Sequence, residues 1–158
     1  MNPLQPLMAL LAQTERERDE ARAKAQRASE AQATAASQSD QLLAYRREYE
    51  QRWNTQFKTE GRIELVHCYR GFMDRLTQAV EQQLRTAQQA TAQHEQARAA
   101  LCECELRVAS VRKLVERRQH ELRLSADRIE QKQTDEFGSR KGWNDPLASA
   151  GFGMPKPA

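Results

Sequence analysis

The side chains best suited to nucleophilic or metal chemistry in this sequence are three histidines and three cysteines, His67, Cys68, His94, Cys102, Cys104 and His120. Cys102 and Cys104 are one residue apart in a helical pattern. Their thiols therefore point roughly 200° apart, which suits tetrahedral zinc poorly. The sequence also lacks a glycine-rich phosphate loop, a nucleophile elbow and a His-x-x-x-His pair. It predicts no catalytic residue, no metal site and no cofactor, hence a protein that is not an enzyme.

The same residues fit structural roles better. Cys104 and His94 fall at positions where small or tolerated side chains pack between helices, and His120 falls in a basic, exposed stretch. Three cysteines with this spacing do not form a disulfide framework, which favours a reducing, cytoplasmic compartment.

Composition favours a coiled coil and argues against several other classes. Charged residues make up 30% of the 158 residues, and nine aromatic side chains are too few for a thick core. With 25 basic and 22 acidic residues, the chain lacks the one-sided charge typical of nucleic-acid binding. We identify no signal peptide and no apolar run long enough to span a membrane.

The elements that carry these residues show heptad spacing. From Val66 to Ile129, nine of the ten residues at every seventh position are apolar. A second series, from Leu7 to Trp53, has mostly small residues in its middle. Apolar residues alternating at spacings of three and four predict helices that bury one narrow seam against another helix.

A reversal near Gly61 brings the two series together, because glycine adopts positive φ without strain. Ala25 then faces Ala97 and Leu42 faces Val80, so small residues meet small and large meet large. The alternative is a parallel dimer through the second helix. The predicted fold is all-α, a long antiparallel two-helix coiled-coil hairpin over residues 1–137. Helix 1 is predicted at about 4–57, the turn at about 58–62 and helix 2 at about 63–137. A disordered, Gly/Pro-rich tail is predicted at 138–158.

Two groups of apolar side chains are larger than a two-helix seam can bury. The first helix is expected to end opposite residue 119, which leaves Leu122 and Ile129 without a partner beside basic residues. Near the loop, side chains of both helices form a composite patch, for which a wider core is the competing interpretation. The patch comprises Gln38, Leu42, Tyr45, Tyr49, Phe72, Leu76, Ala79 and Gln83.

Three stretches resemble the FliJ family of the bacterial flagellar type III export apparatus. They are Tyr45-Arg-Arg-Glu-Tyr49, Tyr69-Arg-Gly-Phe72-Met-Asp-Arg-Leu76-Thr-Gln-Ala79-Val-Glu-Gln-Gln83 and Gln131-Lys-Gln-Thr-Asp135-Glu136-Phe137. The resemblance covers most of residues 4–137. It implies a stalk-like coiled coil that supports flagellum assembly and motility, located in the cytoplasm and held through its partners at the inner membrane of the flagellar base.

The resemblance also implies partners and binding residues. The hairpin's open end would insert in the hexameric export ATPase and promote its assembly, and the composite patch would bind the cytoplasmic linker of the export gate. Export chaperones would bind as well, and nucleic acid would not. Some relatives have histidine where this chain has Gln83. The candidate ATPase-binding residues are Leu4, Leu7, Leu11, Arg117, Arg118, Leu122 and Ile129.

Two other functions are compatible with the same pattern. One is the stalk of a virulence type III secretion system, which shares the architecture. The other is a generic scaffold coiled coil.

Overall fold

The structure, a computed structural model, describes residues 2–57 and 61–143. Helix α1 spans Gln5–Arg52 and continues as a short π-helix, Trp53–Phe57. Helix α2 spans Ile63–Trp143. No β-strand occurs among the described residues, so the all-α prediction is confirmed. The chain divides into two compact units, one of Leu11–Ala109 and one of Met1–Leu10 together with Ser110–Ala158.

Helix α1 begins at a polar cap. The side-chain oxygen Oδ1 of Asn2 accepts a hydrogen bond from the backbone N–H of Leu4 at 3.1 Å. The backbone carbonyl of Asn2 accepts another from the N–H of Gln5, also at 3.1 Å. Because the first N–H groups of a helix lack intrahelical acceptors, Asn2 helps this end by accepting hydrogen bonds from two backbone N–H groups.

The reversal between the helices uses Gly61. Its φ of 61° is the only positive φ among the described residues, in the region that glycine enters most readily. Gly61 and Arg62 are not helical, and α2 starts at Ile63 with Glu64 in its first turn, where a carboxylate interacts favourably with the helix dipole. The rest of the predicted turn, residues 58–60, lies outside the described residues.

Helix α2 extends six residues past the predicted boundary at Phe137, so residues 138–143 are helical rather than part of a tail. Arg140 and Lys141 lie in its last turn, where cations stabilise the negative end of the helix dipole. Pro146 follows shortly after, and proline cannot continue a helix. The remaining residues of the predicted tail, 144–158, lie outside the described part of the chain.

Within the unit Leu11–Ala109, cross-helix contacts prove an antiparallel arrangement inside one chain. Nearest the loop, the rings of Trp53 and Tyr69 stack with centroids 4.1 Å apart. Farther away, Gln83 Nε2 donates a hydrogen bond of 3.1 Å to Gln38 Oε1. Farther still, Gln32 Nε2 donates to Thr91 Oγ1 at 3.2 Å, and a 4.0 Å ion pair joins Arg107 to Glu17.

The core of this unit is a single seam at the predicted heptad positions. Its middle is built from buried alanines, which let the helix backbones approach closely, and larger residues pack on either side. Buried Thr14 satisfies its hydroxyl by donating to the carbonyl of Leu11 at 2.9 Å. The buried apolar residues of this unit are Ala25, Ala35, Leu76, Val80, Ala90, Ala97 and Val108.

In the unit built from the chain ends, Val111 and Val115 are buried. Leu4, Leu7 and Leu122 are half-buried. From residue 123 to residue 143 every residue of α2 is exposed. The prediction that helix 2 outlasts its partner is therefore confirmed, although the partner reaches slightly beyond residue 119, because Leu4 and Leu122 line one groove.

We predict that Val108→Ala destabilises the protein by about 2 kcal/mol, because it removes two buried methyl groups and leaves a void in the seam. The side chain of Val108 is 2% exposed. The control, Leu106→Ala, deletes more carbon atoms two residues away, at a side chain that is 69% exposed. Urea unfolding followed by circular dichroism should show a large loss for Val108→Ala and a small one for Leu106→Ala. Equal losses would contradict the seam assignment.

Candidate docking surfaces

We call the eight residues of the composite patch the loop-end patch, and its centre is an aromatic cluster. The rings of Tyr49 and Phe72 face each other across the two helices with centroids 4.4 Å apart. Tyr45 contacts both, with centroids 5.3 Å from Tyr49 and 6.4 Å from Phe72. Rings at these separations hold one another in place, so an aromatic surface is present before any partner binds.

Amide side chains flank this cluster on the side away from the loop. Gln83 Nε2 donates to Gln38 Oε1 and also lies 3.3 Å from the carbonyl oxygen of Ala35. Gln38 and Ala79 are exposed, and Leu42 is half-buried. The sequence therefore predicted correctly that the two stripes lie side by side.

Leu76 differs from the other members of the loop-end patch. Only 7% of its side chain is exposed, so it belongs to the seam and offers little surface to a partner. The expectation that Leu76 contributes to a surface patch is wrong for a geometric reason. Leu76 occupies a seam position as well as a patch position, and its side chain is buried in the seam. Tyr45, 44% exposed, is the most accessible of the aromatic members.

An adjoining aromatic groove was missed as a site in the sequence. It is open to solvent, has a volume of about 220 Å³, and shares Tyr49 and Phe72 with the loop-end patch. Its remaining lining residues are Trp53, Leu65, Cys68 and Tyr69. Trp53 and Tyr69 stack nearly parallel, at 11°. The excess of aromatic residues near the loop was the available signal, and Trp53 and Tyr69 face each other under the predicted reversal.

The phenol of Tyr69 lies in an environment that favours its neutral form. Burial raises the pKa of Tyr69 above its ordinary value of 10.0, and the carboxylate of Glu50 raises it further, whereas the guanidinium of Arg46 opposes the shift. Arg46 Nε lies 3.6 Å from Glu50 Oε1, which makes these two charges an ion pair beside the ring.

The candidate ATPase-binding residues fall mainly in the unit built from the chain ends. Leu4 and Leu122 line an open groove of about 460 Å³ with Gln119, Arg123 and Ala126. Arg117, Arg118 and Ile129 are exposed, Leu7 and Leu11 are half-buried, and Leu11 belongs to the other unit.

Basic residues dominate this part of α2. Between residues 110 and 128 there are six basic residues and three acidic ones. Arg118 makes a 3.2 Å ion pair with Glu121. A locally positive surface that also exposes apolar side chains is suited to an acidic partner with apolar contacts.

The cysteines and histidines do not form a cluster of three or more among the described residues. Cys68 and Cys102 are exposed, and Cys104 is half-buried in the seam as expected. His94 is half-buried there too, and its Nδ1 has no hydrogen-bond partner among the described residues. In residues 2–57 and 61–143 no three side chains of the metal-binding types lie close enough to hold an ion.

We predict that stability falls at alkaline pH partly through Tyr69. Its folded pKa is raised, so its contribution is present below pH 10, where the unfolded chain's phenol ionises, and is lost as pH rises through the folded pKa. Urea unfolding of the wild type and of Tyr69→Phe, at neutral pH and above pH 10, measures this contribution. The variant should lose less stability between the two conditions. Equal losses would contradict the assignment.

Comparisons with known proteins identify the family. The family model described as "Flagellar FliJ protein" matches residues 2–146. No curated protein and no solved structure matches the sequence. No helix in the described part of the chain carries an apolar stretch long enough to cross a membrane. With the family pattern extending over both helices and the reversal between them, this chain belongs to the FliJ family and is a component of the flagellar protein export apparatus.

Proposed function

We propose that this protein is a non-enzymatic coupling component that docks with one unit on the hexameric export ATPase and with the other on the cytoplasmic linker of the export gate. The observation that carries the proposal is the aromatic cluster of Tyr45, Tyr49 and Phe72. It is built across two helices, partly open to solvent, and located at the positions where the resemblance to the family puts gate binding.

The loop-end patch has the properties of a protein-docking surface. Aromatic side chains that are already ordered lose little conformational entropy on binding, and tyrosine combines apolar area with a hydroxyl for hydrogen bonding. The exposed amide of Gln38 and its bond to Gln83 provide a polar margin. In this arrangement Tyr45, Tyr49 and Phe72 contact the gate, whereas Leu76 supports them from the seam.

The unit built from the chain ends is suited to a deep, acidic binding site. Between residues 123 and 143 the helix is exposed on all sides, and an isolated helix of that length is marginally stable in water. Enclosure by a ring of subunits supplies the missing contacts around its whole circumference. The basic side chains Arg117 and Arg118 then steer the helix toward the ATPase and Leu122 and Ile129 supply apolar contacts.

The proposal also covers location and further partners. Docking on the gate holds the protein at the cytoplasmic face of the inner membrane at the flagellar base, without insertion of its own helices into the bilayer. Export chaperones are further partners, and the export of flagellar subunits depends on these contacts.

We predict that Tyr45→Ala weakens binding to the gate linker about tenfold, the usual cost of removing an exposed aromatic anchor. Helicity should be unchanged, because Tyr45 is outside the seam. The matched control is Leu84→Ala, which removes an apolar side chain of similar exposure, 41% against 44%, outside the patch. Isothermal titration calorimetry with the purified linker gives the affinities, and swarming on soft agar gives motility. Equal affinities for the two variants would contradict the patch.

We predict that Ile129→Ala weakens binding to the export ATPase by roughly tenfold and reduces assembly of its hexamer. The side chain of Ile129 is 58% exposed, so its truncation should leave the fold intact. Leu124→Ala is the control, since Leu124 is also exposed, at 42%, and points to a different side of the same helical stretch.

Gel filtration and pull-down with purified ATPase test both variants. Binding should also weaken as salt is raised, because basic side chains contribute to it. If Leu124→Ala is the more damaging substitution, the binding face has been assigned to the wrong side of α2.

A further inference from the structure

The aromatic groove lies beside the loop-end patch, on the side nearer the loop. Its lining residues from α2 are Leu65, Cys68, Tyr69 and Phe72, whose spacing places them on one side of the helix. All six lining residues belong to the unit Leu11–Ala109. The groove is therefore a feature of one compact unit, and both helices supply its walls.

The groove and the loop-end patch form one continuous surface. Tyr49 and Phe72 belong to both, and their ring centroids are 4.4 Å apart. On α2, the row of groove residues that begins at Leu65 continues through the patch as far as Gln83. This row is about 27 Å long at 1.5 Å per residue. A partner segment seated on the patch at Phe72 therefore also reaches the edge of the groove.

The size of the groove suits one large side chain. Its volume is about 220 Å³, which is below the roughly 300–1,000 Å³ of sites that enclose a drug-sized molecule. A single turn of α-helix, about 10 Å wide and 5.4 Å long, fills roughly 400 Å³ and is too large for it. The occupant is therefore a side chain of a segment that lies across the surface.

The walls of the groove favour an uncharged, apolar side chain. Four of the six lining residues are aromatic, the other two are Leu65 and Cys68, and none carries a charge. A charged group placed against these walls would lose hydration without gaining a counter-charge from them. The environment of Tyr69 agrees with this, because burial is the largest cause that raises its pKa. The two charges that act on Tyr69, those of Arg46 and Glu50, pair with each other at 3.6 Å.

We propose that the aromatic groove receives one large apolar side chain of the partner segment that docks on the loop-end patch, and that this side chain anchors the segment. Most of the energy of a protein interface comes from a few side chains in well-packed pockets. The stacking of Trp53 on Tyr69 holds two walls of this pocket in place before binding. The inference rests on the proposed function, in which the partner is the cytoplasmic linker of the export gate.

Alkylation of Cys68 tests the anchor in the full-length wild-type chain. Cys68 lines the groove, whereas Cys102, which is also exposed, lies outside it and serves as a control in the same molecule. The chain is labelled with iodoacetamide, with and without purified gate linker, and mass spectrometry measures the rate at each thiol. With linker at about ten times its Kd, mass action leaves roughly one-tenth of the chain free. The rate at Cys68 should fall about tenfold and the rate at Cys102 should stay the same.

A variant that fills the groove tests the same anchor through affinity. Cys68→Phe adds a ring at the wall without removing any of the four rings already there, and should weaken linker binding about tenfold. The matched control, Cys102→Phe, makes the same change at the other exposed cysteine and should keep the wild-type affinity. Circular dichroism checks that both variants remain helical. If Cys68→Phe loses helicity, alkylation of the wild-type chain decides the question.

Salt tests the chemistry of the occupant. At saturating linker, protection of Cys68 should persist in about 0.5 M salt, where contacts between exposed charges are screened. Protection that disappears while the linker stays bound overturns the apolar occupant.

The outcomes separate this inference from the proposed function. Linker binding with an unchanged alkylation rate at Cys68 overturns the anchor and leaves docking on the gate in place. Wild-type affinity in a helical Cys68→Phe variant also overturns the anchor. Failure of the linker to bind the wild-type chain at all overturns the proposed function, and the anchor with it.

Discussion

The close approach of two helices along one seam is the constraint on which the rest of the structure depends. Each helix can hide only a narrow face from the other, and in the middle of the unit Leu11–Ala109 even that face consists of alanines such as Ala25 and Ala97. Among the described residues no large side chain is completely buried. Apolar burial per residue is therefore small, and a long run of repeated layers replaces the thick core of a globular domain.

This limit explains why the surfaces proposed for binding lie where the seam changes. Near the loop, the aromatic side chains are too large and too many for one seam, so Tyr45 and part of Tyr49 and Phe72 are displaced onto its flank. In the unit built from the chain ends, the seam stops near the start of α1, and α2 continues exposed. The surplus of aromatic side chains near the loop leaves apolar groups in contact with water, and so does the lack of a partner helix for the last part of α2. Exposed apolar groups of this kind are the condition for partner binding.

Much of the fold could be predicted from the sequence because helix contacts follow a fixed period. The heptad positions from Leu7 to Trp53 and from Val66 to Leu122 are buried or half-buried except for Arg118. Heptad spacing alone could not show whether Leu76 is buried in the seam or exposed in the patch, because its position fits both. Only the distance to the facing helix separates the two roles. The predicted end of α2 was also too early, because the glycines after Phe137 favour a break in the helix. Arg140 and Lys141 in the last turn stabilise the helix end and offset that effect. The groove at Trp53 and Tyr69 depends on ring orientation, which spacing does not encode.

The π-helix at Trp53–Phe57 has a consequence for the aromatic groove near the loop. A π turn accommodates an extra residue and is less favourable than the α turn it replaces, so it is kept where local geometry requires it. Here the first residue of the π-helix is Trp53, whose indole stacks against the ring of Tyr69. Because Trp53 belongs to both features, a change that restored α-helical geometry in this segment would also move one wall of the aromatic groove.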